Sequence, residues 1–291
     1  MGVIFSDAEI EASSGKDADD ENFPVGSFLI AAELRPAIAA YYAFARAADD
    51  IADAGHLSPE EKKRRLDAFE AVVLGQAEGL SKPTRLREAL AAHGVTTDHA
   101  VDLLDAFRQD ADKLRYESID DLLAYCELSA NPVGRFLLDL HGEDPALWTA
   151  SDALCTSLQI LNHLQDCGDD RRTLDRVYLP QGLLAAKGET VTVLDGDAET
   201  PGLRYVIDEL LIVCERLNET AEGLVLGLKS RRLAAESAII IALAKRLAQR
   251  LRKGDPLATR VALSKPDFAV AGLTGAVRGF MHKAPTERVA A

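Results

Sequence analysis

The stretch Leu158-Gln159-Ile160-Leu161-Asn162-His163-Leu164-Gln165-Asp166-Cys167-Gly168-Asp169-Asp170 decides how this chain is read. As a helix it sets Gln159, Asn162, Asp166 and Asp170 on one face, at offsets 0, 3, 7 and 11. Leu158, Ile160, Leu161 and Leu164 fill much of the remaining surface. A polar stripe on so apolar a helix needs a partner. A candidate lies over a hundred residues upstream, in Tyr41-Tyr42-Ala43-Phe44-Ala45-Arg46-Ala47-Ala48-Asp49-Asp50-Ile51-Ala52-Asp53. There Tyr42, Arg46, Asp49 and Asp53 fall at offsets 0, 4, 7 and 11. Each helix thus carries a D-x-x-x-D pair. Like charges at i,i+4 repel, so such pairs are poor structural choices. They are good ligands for a hard cation such as Mg²⁺, which in turn binds phosphate. The spacing therefore predicts two facing helices that hold a diphosphate through Mg²⁺.

The rest of the chain constrains this reading. Its 291 residues allow one large domain or two small ones, and 47% hydrophobic residues are ample for a core. Net charge is −14, of which residues 1–21 supply −6. That segment reads as a disordered acidic tail. The remaining −8 excludes nucleic acid as the expected partner, since that would need a basic face. Cys126, Cys155, Cys167 and Cys214 form no C-x-x-C pair and sit in apolar helical patterns, as reduced thiols in a cytosolic protein do. The N-terminus is too acidic for a signal peptide. The longest apolar run, Ala238 to Ala244, falls far short of the roughly 20 residues that span a bilayer. Contact with a membrane surface stays open.

In order, the pattern predicts a short helix from Ser27 to Leu34, a long one opened by Pro36 and ending at Asp53, and a capped one after Ser58. Helices follow from Pro83 to Ala92 and from Ala100 to Arg115. The next, Leu122 to Leu140, is kinked by Pro132 near Asn131. The acidic-stripe helix ends near Asp170, before a charged loop Arg171–Arg176 and a polar connection over 181–200. Helices from Pro201 to Leu228, Ser230 to Arg252 and Pro266 to Met281 complete the chain. No alternating strand pattern and no domain boundary is visible.

Facing carboxylate clusters suit ionisation of an allylic or cyclopropylcarbinyl diphosphate, in which Mg²⁺ and cationic side chains stabilise the departing group. The carbocation then needs a dry apolar cavity. Arg46 could contact phosphate oxygens, Asn162 could complete the shell, and Arg171, Arg172 and Arg176 could close over the leaving group. Each also has a plainer reading. Arg46 could pair with Asp50 at i,i+4. The Arg171–Arg176 run could be a solvated loop. Tyr125, Tyr178 and Phe136 suit a core, and His163 points away from the stripe.

Tyr42-x-x-x-Arg46-x-x-Asp49-Asp50-x-x-Asp53 and Asn162-x-x-x-Asp166-x-x-x-Asp170, followed by Arg176-Val177-Tyr178-Leu179-Pro180, resemble the squalene/phytoene synthase family. The resemblance covers about residues 22–280. It implies an all-α, single-domain isoprenoid-synthase bundle over residues 22–283 with a central apolar cavity, leaving residues 284–291 as a frayed end. It also implies several Mg²⁺ ions and a prenyl diphosphate substrate. By carry-over the metal ligands are Asp49, Asp50, Asp53, Asn162, Asp166 and Asp170. Tyr42, Arg46, Gln165 and Tyr178 line the site, with Tyr178 close to the chemistry. The wording is nearest the bacterial hopanoid-pathway branch. That branch ionises presqualene diphosphate and lets water capture the cation, so no NADPH is expected. Other enzymes of the squalene pathway are expected partners.

Two departures touch the chemistry. Where many family members carry a tyrosine after Tyr-Cys, this chain has Glu127, and a late-helix tyrosine falls at Ala244. Glu127 is thus a candidate to hold or deprotonate the capturing water, against a plainer reading as a solvent-facing or kink-capping residue. A condensing presqualene diphosphate or phytoene synthase is the near alternative. A non-catalytic helical scaffold is the remote one.

Overall fold

Pro36 sits in the first turn of helix α1 (Arg35–Asp53), where its missing N–H is one the helix could not use. The computed structural model describes residues 6, 7 and 30–282. Residues 30–34 form a bend and turn before α1, and the rest of the helix expected over 27–34 lies outside the described residues. So do residues 284–291 and nearly all of 1–21. Helix α2 (Pro59–Val73) starts where the Ser58 side chain accepts a hydrogen bond from the Glu61 amide. Helix α3 (Ser81–His93) stops at Gly94, whose φ of 66° suits the residue without a Cβ. With α4 (Asp98–Asp112) these helices pack around Phe44, Phe69, Leu86 and Leu104.

The helix expected to kink near Asn131 is broken outright into α5 (Ile119–Ser129) and α6 (Asn131–Leu140). Ala130, at φ −124° and ψ −46°, makes the break, because Pro132 cannot donate into a continuing helix. Next comes α7 (Trp148–Leu174), 27 residues long. It runs past the expected end at Asp170, so Arg171 and Arg172 belong to its last turn and not to a loop. Asp175 then takes the left-handed conformation, φ 51°, and turns the chain sharply inward. The polar connection holds a short helix α8 (Gln181–Ala185) and a 3₁₀ turn, Val191–Asp195. Helices α9 (Pro201–Gly227), α10 (Arg231–Leu251) and α11 (Lys265–Met281) follow. Among the described residues the only β pairing is an isolated bridge between Arg115 and Val177.

Helix α7 is central. It packs on α6, α9 and α10, and its apolar side joins Ile160, Leu161 and Leu164 to Ile207, Leu211 and Leu247 in the largest core cluster. Gly134 permits the close approach of α6, since a Cβ there would collide with Ser151 Oγ and Cys155 Sγ. Gly134→Val is expected to cost about 1–3 kcal/mol by overpacking, read as a lowered melting temperature. Unchanged melting would mean that α6 and α7 separate freely. Cys126, Cys167 and Cys214 are buried and none of the four cysteines is bridged.

Candidate active site

The same faces of α1 and α7 that carry the acids line a cavity of about 310 Å³. On α1, Ile38, Tyr42 and Ala45 face it, and Asp49 and Asp53 continue that stripe. On α7, Ser151, Cys155 and Leu158 face it, and Asn162 and Asp166 continue the stripe. Spacings of three and four residues keep each set on one side of its helix. Both helices therefore run from an apolar chamber toward carboxylates near their C-terminal ends. Helices α6, α9 and α10 close the chamber with Phe136, Leu224 and Leu233. Carboxylates near a helix C-terminus meet the negative end of the dipole, and α1 has no basic residue in its last turn. The arrangement favours a bound cation.

Asp49, Asp50, Asp53, Asn162, Asp166 and Asp170 are all half-buried. Among the described residues no three His, Cys, Asp or Glu side chains converge on a point able to hold a metal. The carboxylates come instead as pairs, one turn apart, on two helices. That donor set fits Mg²⁺, which is usually held by one or two carboxylates together with water and substrate phosphate oxygens. Arg46 donates to Asp49 and to Asp50, both at 2.8 Å, so the i,i+3 and i,i+4 pairings are present. Its guanidinium stays at the acidic end of α1.

The arginines after the second pair divide. Arg171 is held by Asp195 at 2.9 Å and by Asp175, and Arg172 by Asp169, all on the outer side of the last turn. They do not form a cover over the carboxylates. Arg176 is buried by the turn at Asp175. Its Nη1 donates to Asp53 Oδ1 at 3.0 Å and its Nε lies 3.8 Å from Asp110 Oδ1. Arg176 thus ties the end of α7 to the end of α1. Burial works against its charge, but Asp110, Tyr178 and Asp53 outweigh that and hold it firmly protonated.

Asp110 on α4 was not foreseen. It accepts from Tyr125 Oη at 2.7 Å and from Tyr178 Oη at 3.2 Å. Burial pushes its carboxyl up to about 6, against the pull of Arg176. Tyr178 stacks on His163 with centroids 3.6 Å apart, and burial, then Arg176, pushes His163 down to about 3, so its ring is neutral. Tyr116 and Tyr125 complete the aromatic group. Lys62, on α2, donates to the Ala52 carbonyl at 2.7 Å and caps α1. No local pattern distinguishes Asp110 or Lys62 from ordinary helix-surface charges.

Two further expectations meet a different placement. Gln165 is buried, and its Nε2 donates to the Val261 carbonyl at 2.6 Å, which holds the segment before α11. Glu127 is exposed and lines an outer groove with Arg135 and Asp152, away from the chamber. The reason is helical geometry: Tyr125 and Cys126 face inward, and Glu127 lies 200° round from Tyr125. The Tyr125 hydroxyl on this helix is directed at Asp110. Ala244 is wholly buried in the main core.

An all-α bundle with an apolar chamber beneath paired acids is an isoprenoid-synthase fold. It superposes on a squalene synthase from Alicyclobacillus acidocaldarius with a TM-score of 0.70 and 29% identity, covering 79% of this chain and 87% of that one. The squalene/phytoene synthase profile matches residues 17–267, and the chain belongs to that family. It is 46% identical to a hydroxysqualene synthase of Rhodopseudomonas palustris, over 90% of this chain and 89% of that protein. It is 42% identical to a hydroxysqualene synthase of Sinorhizobium fredii, over 87% of each.

Proposed function

We propose that this protein is a carbon–oxygen lyase that converts presqualene diphosphate and water to hydroxysqualene and diphosphate. The observation that carries this is the continuity of each helical stripe, from apolar chamber to carboxylate pair on both α1 and α7. A substrate with an anionic head and a long hydrocarbon body matches that layout. The similarity to hydroxysqualene synthases over most of both chains narrows the choice within the family. Several Mg²⁺ ions at Asp49, Asp50, Asp53, Asn162, Asp166 and Asp170 would neutralise the diphosphate as its C–O bond breaks. Arg46 orients the α1 acids, and Arg176 fixes Asp53. Tyr42 sits at the junction of head and chamber, and the lining below it excludes water. The chemistry needs no reductant.

The test is a product assay with Mg²⁺ and without NADPH, using presqualene diphosphate or farnesyl diphosphate, with lipids identified by mass spectrometry. Hydroxysqualene from the first, with the second untouched, supports the proposal. Formation of presqualene diphosphate or phytoene from simple prenyl diphosphates moves the protein to the condensing branch. No turnover of either favours a scaffold.

A cytoplasmic protein that docks on the membrane surface fits this substrate. No described helix is long and apolar enough to cross a membrane. The outward face of α11, however, presents Val270, Leu273, Val277, Phe280 and Met281, with Phe280 84% exposed. Nearby Arg231 donates to the carbonyls of Gly279 and Phe280, and among the described residues it forms no ion pair. Lys229 and Arg232 are also exposed, in a chain of net charge −14. One helix of this length offers roughly 25 Å by 10 Å, well short of the about 800 Å² per partner of a standard interface. An anionic bilayer surface is the better occupant. The protein is expected to sediment with anionic vesicles and not with zwitterionic ones, and Leu273→Asp with Val277→Asp to abolish it. Dimerisation in solution, lost in the same variant, would replace the bilayer by a second copy.

A further inference from the structure

His163 lies near the acid end of α7, three residues before Asp166. It stands about 100° round the helix from Asn162, but only about 60° from Asp166 and about 20° from Asp170, so it borders the acid stripe. Its ring is 7% exposed and stacks on Tyr178 with centroids 3.6 Å apart. Tyr178 Oη lies 3.3 Å from Arg176 Nη1, which also donates to Asp53 of α1. The imidazole therefore sits where the acid ends of α1 and α7 meet. Its neighbours Tyr125 and Tyr178 both donate to Asp110. His163 Nε2, by contrast, is buried and has no hydrogen-bond partner among the described residues. A buried nitrogen without a partner costs free energy, and a phenylalanine would keep the stack on Tyr178 without that penalty. The cost points to a ligand, and the location says which. A substrate whose diphosphate sits among the aspartates has its breaking C–O bond beside them. His163 is about 4.5 Å from Asp166 along the helix axis. Two polar groups of the chamber stand further off: Ser151 about 22 Å before Asp166 on α7, and Tyr42 about 10 Å before Asp49 on α1.

We propose that His163 holds, through Nε2, the water that captures the cation. This rests on the lyase reading above. The substrate C–O bond breaks heterolytically and the electron pair leaves with the diphosphate. The hydrocarbon rearranges as a cation. A lone pair on the water oxygen then forms the new C–O bond. One water O–H donates to Nε2 and stays as the hydroxyl of the product. The other O–H breaks, and its proton passes to an oxygen of the departed diphosphate. The imidazole gains and loses no proton. Its part is to fix where the water stands and which way its lone pair points, and the stack on Tyr178 fixes the imidazole in turn.

The test separates ionisation from capture. His163→Phe keeps the ring and its stack and loses Nε2. Diphosphate release and C30 products are measured in the same reaction, and melting temperature is measured without Mg²⁺ or substrate. His163→Phe is expected to slow diphosphate release by less than about tenfold. Its ratio of hydroxysqualene to hydrocarbons formed by proton loss is expected to fall about 100-fold, the scale on which misplacing a reactant is felt. It should melt no lower than wild type, since an unpaired buried nitrogen has been replaced by an apolar group of the same shape. His163→Gln, whose side-chain amide ends near the place of Nε2, should recover part of the ratio. Should His163→Phe fail to fold, His163→Met fills the same space and is read in the same way. An unchanged ratio, with or without slower turnover, overturns the proposal, because a merely structural role slows both products together. If wild type itself makes no hydroxysqualene, the lyase reading fails before any variant is compared.

Discussion

Arg176→Leu is expected to lower stability by about 3–5 kcal/mol, measured by urea denaturation. Arg176 is 5% exposed, and removing its side chain leaves Asp110 buried with no cation within ion-pair distance among the described residues. It also cuts the link from Asp53 to the segment that follows α7. The loss should depend on pH in a defined direction. Burial already raises the Asp110 carboxyl to about 6, with Arg176 restraining it. A carboxyl raised in the folded state binds more protons there than in the unfolded chain. Its contribution is therefore fully present below the unfolded value, near 4, and fades as pH rises through the folded value. Without Arg176 the folded value climbs further and the window extends above 6. The gap between wild type and variant should accordingly narrow as pH falls from 7.5 to 5. The double variant Arg176→Leu with Asp110→Asn should recover a large part of the loss, because the orphaned charge is gone. A single variant as stable as wild type at pH 7.5 would mean that water reaches Asp110 and that the pair is not truly buried.

That pair also marks how far the sequence could be read. The acidic stripes were legible because their evidence is local: Asn162, Asp166 and Asp170 share a face by helical period alone. Helix boundaries were legible for similar reasons, at Ser58, Pro36 and Pro201 above all. The partner of Arg176 was not. Asp110 lies 66 residues away and Asp53 lies 123 away, and only the fold brings them together. A run of basic residues after an acidic stripe looks like a mobile cover whether its members point outward, as Arg171 and Arg172 do, or inward, as Arg176 does. The left-handed turn at Asp175 decides between them, and no neighbouring glycine announces it. Glu127 misled for a different reason. It stands in the right helix, two residues from the tyrosine that faces inward, and a shift of two residues on a helix changes the face.

Asp166→Ala is expected to reduce diphosphate release from presqualene diphosphate by at least about 1,000-fold, an effect of roughly 4 kcal/mol on the transition state. The aspartate sits where the α7 stripe leaves the chamber, and the proposed function has it share Mg²⁺ with the departing diphosphate. Stability should move little. Asp166 and Asp170 are like charges at i,i+4, and Asp166 is only half-buried, so the relief of repulsion and the better helix propensity, a few tenths of a kcal/mol each, work against whatever contact alanine removes. A residue retained for structure cannot give that pair of results, since its loss would lower activity and stability together. The same substitution should weaken the stabilisation that Mg²⁺ plus inorganic diphosphate confers on thermal unfolding, which reads binding without turnover. If the variant keeps full diphosphate release, the carboxylates of α7 are not metal ligands and the two-helix reading of the site falls. If it melts several degrees lower while its residual activity tracks the folded fraction, Asp166 is structural, and the acids of α1 alone would have to carry the diphosphate.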